Sequence, residues 1–186
     1  MRKIIVSNYM TLDGYFAGPS GEIDWFLWDD ETASYSKELI GGIDTMLFGR
    51  VTYETMASFW PTATTEDPAI TSAMNEFPKI VFSTTLKSAG WNNSSIVRDV
   101  TKEGIRSLKN MPGKDLVIFG SGGLVASLAQ IDMIDEFRLM VNPVVVGEGK
   151  SMFAGLKGRL DLDLLKTRTF RCGIVLLTYR PAGTKS

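Results

Sequence analysis

The chain has no histidine and a single cysteine, Cys172, in 186 residues. Without histidine, neither Ser-His-Asp nor Cys-His nucleophilic machinery can be assembled, and most zinc sites are lost as well. One cysteine excludes an internal disulfide and fits a reducing compartment. Neither sign of charge dominates: the net charge is −1, so no basic surface is implied and nucleic acid is not an expected partner. No apolar run approaches the ~18 residues of a membrane span. Arg2 and Lys3 lead straight into a short strand-like segment instead of a secretory apolar stretch. The expected location is therefore the cytoplasm, with no membrane partner. Carboxylate-only magnesium or calcium sites stay open in principle, but no ligand spacing suggests one, and no metal is expected. Acid–base work is left to carboxylate, Tyr, Lys or bound water.

What the chain does have is ordinary globular composition, 44% hydrophobic and 22% charged, in a length that suits one domain with a real core. The most informative stretch is Leu116-Val117-Ile118-Phe119-Gly120-Ser121-Gly122-Gly123, followed by Leu124, Leu128 and Ile131. Four unalternating apolar residues predict a strand covered on both faces. Spacing of i, i+4, i+7 predicts an amphipathic helix behind it. Strand, glycine turn and helix form a recurring anion site: glycines admit a phosphate close to the backbone, and the helix start offers unpaired N–H groups and a positive dipole end. The stretch is not the dinucleotide fingerprint G-x-G-x-x-G, because Val125 stands where the third glycine belongs.

Taken in order, the pattern predicts strands at Lys3–Tyr9, Thr45–Phe48, Lys79–Ser83, Ile96–Val97, Leu116–Phe119 and Glu136–Val141, with Val144–Val146 as a further apolar run. Helices are expected from Asp29 or Asp30 to Gly41-Gly42, from Gly49 to about Phe59, from Asp67-Pro68, after Thr101, and after the glycine turn. Leu164–Arg171 and Gly173–Arg180 form an antiparallel hairpin. The fold class is α/β: a mostly parallel mixed sheet of about eight strands with an antiparallel C-terminal hairpin and helices on both faces. One domain over 1–182 is expected, with a short tail at 183–186. Either Phe137–Val141 and Val144–Val146 pair across a two-fold axis in a homodimer, or they are core.

Three strand ends share one character. Gly49-Arg50-Val51-Thr52, Ser83-Thr84-Thr85 and Gly120-Ser121-Gly122-Gly123 each follow a buried strand. In a mostly parallel sheet such ends lie on one edge, where open α/β folds bind ligands. Arg50 brings fork geometry suited to phosphate, and Thr52, Ser83 and Thr84 bring hydroxyls. Together they describe a site for a ligand carrying several phosphates.

Gly49-Arg50-Val51-Thr52-Tyr53-Glu54 after Met46-Leu47-Phe48 resembles the cofactor segment of dihydrofolate reductases, and the Ser83 cluster and Phe119–Gly123 follow in that family's order. Thr11-Leu12-Asp13-Gly14 and Asn142-Pro143-Val144-Val145-Val146-Gly147-Glu148-Gly149-Lys150 look more like a relative, the reductase domain of the bifunctional riboflavin-synthesis deaminase-reductase. The resemblance implies a three-layer, dihydrofolate reductase-like fold, NADPH as cofactor and a small-molecule substrate. It implies that Gly49, Arg50 and Thr52 hold cofactor phosphates, that Ser83 and Thr84 lie at the adenosine 2′-phosphate, and that Gly120, Ser121, Gly122 and Gly123 wrap the pyrophosphate. The backbone of Tyr9 and of Phe16 or Ala17 would lie near the nicotinamide, under a mobile loop at Gly14–Gly21. Trp25 would be a substrate-side aromatic.

The carboxylate that contacts the pterin in dihydrofolate reductases has no clean match. Counting back from Gly49 by the family's spacing lands on Ala33, with Asp30 and Glu31 a turn or less away. Asp13 is the first candidate for substrate orientation or proton supply, Glu31 the second and Asp30 the third. A zinc deaminase half cannot be built without histidine and with one cysteine. Gly149-Lys150-Ser151 ends like a P-loop, but Val144 occupies the place of the required glycine. The expected activity is hydride transfer to a pterin-like or aminopyrimidine-ribose-like substrate, which needs no protein nucleophile. The competing expectation is a non-catalytic nucleotide-binding or dimeric scaffold protein with a lapsed site.

Overall fold

The computed structural model describes residues 1–183. Of the 183–186 tail expected from sequence, only Gly183 lies within the described residues. Strand β1, Ile4–Thr11, is the centre of the molecule. Ile4, Ile5 and Val6 are fully buried, and neighbours in sequence face opposite layers. Ile4 and Val6 pack with Leu47, Leu116 and Ile118 against Ile105, Leu124, Val125 and Leu128. Ile5 packs with Met46, Phe48 and Val117 against Leu39, Tyr53, Ile70 and Met74. An unalternating apolar run is thus a strand with a helix layer on each side.

The remaining elements are β2 (Tyr15–Ala17), α1 (Asp30–Gly42), β3 (Ile43–Gly49), α2 (Arg50–Phe59), α3 (Pro68–Glu76), β4 (Lys79–Phe82) and β5 (Ser94–Val97). They are followed by α4 (Lys102–Asn110), β6 (Asp115–Phe119), α5 (Gly122–Gln130), β7 (Glu136–Asn142), β8 (Lys150–Ser151), β9 (Leu162–Thr169) and β10 (Val175–Pro181). The eight-stranded sheet runs β5-β4-β3-β6-β1-β7-β10-β9. Its first six strands are parallel, and β10 is antiparallel to both neighbours. The α/β class, the parallel body and the C-terminal hairpin agree with the sequence reading.

One open alternative is decided, for core at Phe137–Val141, and two expectations are corrected. Strand β7 is internal, hydrogen-bonded to β1 on one side and β10 on the other, with Phe137 and Leu139 buried in the core. Both its edges are used, so it cannot pair across a two-fold axis. Val144–Val146 forms no strand; Val144 turns back on Asn142 and accepts from the Leu12 amide, and Val145 is 64% exposed. The Gly14–Gly21 segment, expected as a loop, contains β2, which pairs antiparallel with β8 in a separate ribbon. Strands of two and three residues are too short to show a period in the sequence.

Candidate functional site

Strands β3 and β6 are neighbours, and each runs at its C-terminal end into a helix. Helix α2 leaves to the layer that holds Tyr53, and α5 to the layer that holds Leu124 and Leu128. Such a divergence opens a crevice at the strand ends. The helix starts there differ from the others. Asp29 caps α1, Asp67 caps α3 and Thr101 caps α4, whereas α2 and α5 have no side-chain cap. The first N–H groups of α2 and α5 are therefore left to the crevice, with two positive dipole ends beside each other.

Ser121 joins the two starts. It holds a left-handed conformation, φ 59°, a strained setting for a residue other than glycine. Its Oγ accepts from the Gly49 N–H at 2.8 Å, and its own N–H donates to Thr52 Oγ1 at 3.0 Å. A buried Asn8 side chain accepts from the Gly120 N–H from below. Gly120, φ 63°, lies so close to α2 that a Cβ would sit 2.9 Å from Thr52 Cγ2. A Cβ on Gly122 would meet the Met152 carbonyl oxygen at 3.2 Å and Phe16 Cε1 at 3.4 Å. Gly123 alone faces open space, with nothing within 4 Å. The glycine turn is thus braced underneath and open at Gly123, and an open turn at a helix start is the kind of place that suits an oxyanion.

At the neighbouring strand end, Ser83 Oγ accepts from the Thr85 and Leu86 amides, at 3.2 and 2.9 Å, and so shapes the turn. Thr84 is exposed beside it. A cation held against this turn is Arg98, which follows β5 and donates to the carbonyls of Ser83 and Leu86 at 2.9 and 2.7 Å. Arg98 escaped the sequence reading because its partner turn lies fifteen residues earlier, at Ser83; only the parallel β4–β5 pairing brings them together. Arg50 pairs with Glu54 at 2.7 Å on the exposed side of α2. An exposed i, i+4 pair of this kind yields readily to a phosphate.

The three carboxylate candidates are separated. Asp13 is exposed and is held below the usual carboxylate range, first by the Thr11 hydroxyl and then by backbone amides. It accepts from the Gly147 N–H at 2.8 Å and the Val146 N–H at 3.4 Å. That makes it a latch between the β1–β2 turn and the loop before β8. Glu31 receives both the Arg171 backbone N–H and its Nε–H at 2.8 Å, tying α1 to the β9–β10 hairpin. Asp30 is exposed at the first position of α1. In Asp13→Ala, amide exchange at Gly147 is expected to quicken by about tenfold or more, because the loop loses its acceptor. In Asp13→Asn, which keeps an acceptor oxygen, exchange should change less. Equal protection in wild type and Asp13→Ala would remove the latch.

Aromatic residues cover the α1 side of the β1 end. Tyr9 stacks on Phe26 with centroids 4.6 Å apart, Trp25 meets Phe26 edge-on at 4.6 Å, and Trp28 lies 6.5 Å from Tyr9. Fully buried Asn142 anchors this strap: its Oδ1 accepts from the Leu27 N–H, while its Nδ2 donates to Met10 and Met140 carbonyls. In sequence Asn142 is singled out only as the first residue of the Asn142–Lys150 segment, with no role of its own, and Asn8 not at all. Their only signal is an amide side chain set within or at the end of an apolar strand. Ala17 is buried in the β2–β8 ribbon, its carbonyl against Gly149. Among the described residues, no three acidic or cysteine side chains gather as a metal site, and no helix is long and apolar enough to cross a membrane.

Residues 2–176 match the family model described as the RibD C-terminal domain. The uncharacterized protein YyaP of Bacillus subtilis (strain 168) is 34% identical over 186 residues, covering 98% of this chain and 96% of that protein. Among solved structures, the chain is similar to the diaminohydroxyphosphoribosylaminopyrimidine deaminase/5-amino-6-(5-phosphoribosylamino)uracil reductase of Thermotoga maritima. The TM-score is 0.72 at 16% identity, over 97% of this chain and 57% of that one. It is also similar to dihydrofolate reductase from Enterococcus faecalis, solved with NADP(H), with a TM-score of 0.65 at 17% identity over 97% and 96% of the two chains. At these identities the structural likenesses establish the dihydrofolate reductase-like fold alone. The family itself follows from the sequence match along nearly the whole length: this chain belongs to the RibD C-terminal domain family.

Proposed function

We propose that the protein is an NADPH-dependent reductase that transfers hydride to a C=N or C=O bond of a pterin-like or aminopyrimidine-ribose-like substrate. The observation that carries this reading is the pair of uncapped helix starts, α2 and α5, pinned together by Ser121 at the β3/β6 crevice. A dinucleotide places its two phosphates at such ends. Gly120–Gly123 with Gly49 and Thr52 hold the pyrophosphate, and Arg50 neutralises it once released from Glu54. Ser83, Thr84 and Arg98 take the adenosine 2′-phosphate. Tyr9, Phe16 and Ala17 border the nicotinamide, and the Asp13 latch keeps the β2–β8 ribbon over it. Trp25 and the strap face the substrate. A bound reduced nicotinamide supplies two electrons and a hydrogen as hydride; the chain's own groups orient the partners, exclude water and supply a proton. The engagement of Glu31 with Arg171 and of Asp13 with Gly147 favours a second reading, a nucleotide-binding protein without turnover.

NADPH oxidation in the presence of dihydrofolate or 5-amino-6-(5-phosphoribosylamino)uracil separates the two readings. Turnover with either supports the reductase; NADPH binding without turnover on any carbonyl or imine acceptor supports the second. In Arg98→Ala the affinity for NADPH is expected to fall about tenfold while that for NADH hardly changes, since only the former has a charge at the 2′ position. Equal losses for both cofactors would take Arg98 away from the 2′-phosphate.

A further inference from the structure

Among the described residues, five buried side-chain polar atoms lack a hydrogen-bond partner, and two of them, Tyr9 Oη and Trp25 Nε1, belong to rings that both pack on Phe26. Orphaned buried donors are rare and cost stability, so two at one place call for an explanation. Tyr9 stands on β1 two residues before its end, at the strand edge where the cofactor is proposed to lie. Groups facing its hydroxyl come from every element packed around it: Asp29, Tyr35 and Ser36 from the start and body of α1, and Cys172 from the β9–β10 turn. The hydroxyl makes no hydrogen bond of good geometry; the nearby Ser36 hydroxyl, which donates to the Thr32 carbonyl at 3.0 Å, acts to lower its pKa. The strap above it is exposed, with Trp28 at 53% and Ile23 at 47%, and one amide, Leu27 N–H, ties it to Asn142.

We infer that Tyr9 is the proton donor of the reductase, and that its hydroxyl and the Trp25 N–H bind the acceptor atoms of a planar heterocycle that enters beneath the strap. This rests on the reductase reading. As hydride adds to the carbon of a C=N or C=O bond, the π pair moves to the heteroatom, which takes the Tyr9 proton. The phenolic O–H bond breaks, an N–H or O–H bond forms, and the phenolate regains its proton from solvent. The stacked Phe26 ring marks the plane and position that a flat substrate takes when the strap opens. Burial raises the Tyr9 pKa strongly, so the donor stays protonated across the neutral range. The rate then shows no fall through the neutral range from loss of the donor's proton.

Tyr9→Phe tests this with three readouts. Removing an orphan hydroxyl raises the thermal midpoint of the free protein, whereas removing a hydroxyl with a structural role lowers it. Lumazine, a planar pteridine with carbonyl acceptors, quenches tryptophan fluorescence in wild type and binds about tenfold more weakly to Tyr9→Phe. Dihydrofolate-dependent NADPH oxidation falls by about 100-fold at every pH from 6 to 9. A lower midpoint, lumazine affinity within threefold of wild type, or no lumazine binding by wild type overturns the inference. Absence of NADPH binding to wild type overturns the reductase reading instead, and lumazine titration of the free chain still decides the role of Tyr9 as a donor.

Discussion

Gly123→Asp is expected to abolish NADPH binding while leaving the protein folded. Gly123 is the second residue of α5, and a Cβ there meets nothing within 4 Å. A carboxylate in the first turn of a helix is favourable to the helix itself, so the thermal midpoint should hold or rise slightly. The same carboxylate would stand in the cradle proposed for the pyrophosphate. Like charges a few ångströms apart in a partly desolvated crevice cost several kcal/mol, roughly a 100-fold loss of affinity or more. Gly120→Ala is a poorer test: its Cβ collides with Thr52 and its φ is positive, so folding and binding would fail together. An unchanged melting curve with NADPH binding lost in Gly123→Asp locates the dinucleotide at α5. Unchanged NADPH affinity would remove it from there.

Lys79→Met should cause the largest loss of stability. Lys79 opens β4 and is fully buried, yet no carboxylate among the described residues lies within ion-pair distance of it. Its ammonium donates to the carbonyls of Asn75, Phe77 and Asn92 at 2.9, 2.8 and 3.0 Å, and sits 4.4 Å from the centroid of the Trp91 ring. One side chain thus closes the end of α3, the start of β4 and the turn before β5. Methionine fills similar volume but leaves three carbonyls unsatisfied. The expected cost is about 3 kcal/mol, or roughly 6–12 °C in thermal midpoint for a chain of this size. Burial pushes the Lys79 pKa down to about 8. Between that value and the ordinary lysine range the unfolded chain binds more protons, so wild-type stability gains relative to Lys79→Met as pH rises from 8 to 10. Denaturant titrations of both proteins at pH 7 and pH 10 measure the loss and its sign. A loss below about 1 kcal/mol, within the range of an ordinary single hydrogen bond, would make the clamp unimportant.

The parts of the fold legible in the sequence were those written in local chemistry. Asp29 or Asp30, Asp67 before Pro68, and Thr101 marked helix starts because a cap is a matter of neighbouring residues. The unalternating runs at Ile4–Val6 and Leu116–Ile118 marked doubly covered strands. The convergence of Gly49, Ser83 and Gly120 on one edge followed from counting parallel strands. What escaped was written in the pairing of distant segments. Asn8 reaches Gly120, Asn142 reaches Leu27, and Arg98 reaches Ser83 only after the sheet has formed. Asp13 was legible as important but not as a latch, because its partners, the amides of Val146 and Gly147, carry no side-chain signal. In sequence Glu31 stands as a candidate proton source and Lys79 only as the first residue of a strand; pairing and burial give each a structural task.

The most direct test of the proposed function is a titration of the wild-type protein with NADPH, followed by fluorescence, with NADH in parallel. Saturable binding that prefers NADPH, and that Gly123→Asp abolishes, is the expected result. Binding of neither nucleotide would contradict the reductase reading and leave the uncapped α2 and α5 starts without the ligand assigned to them.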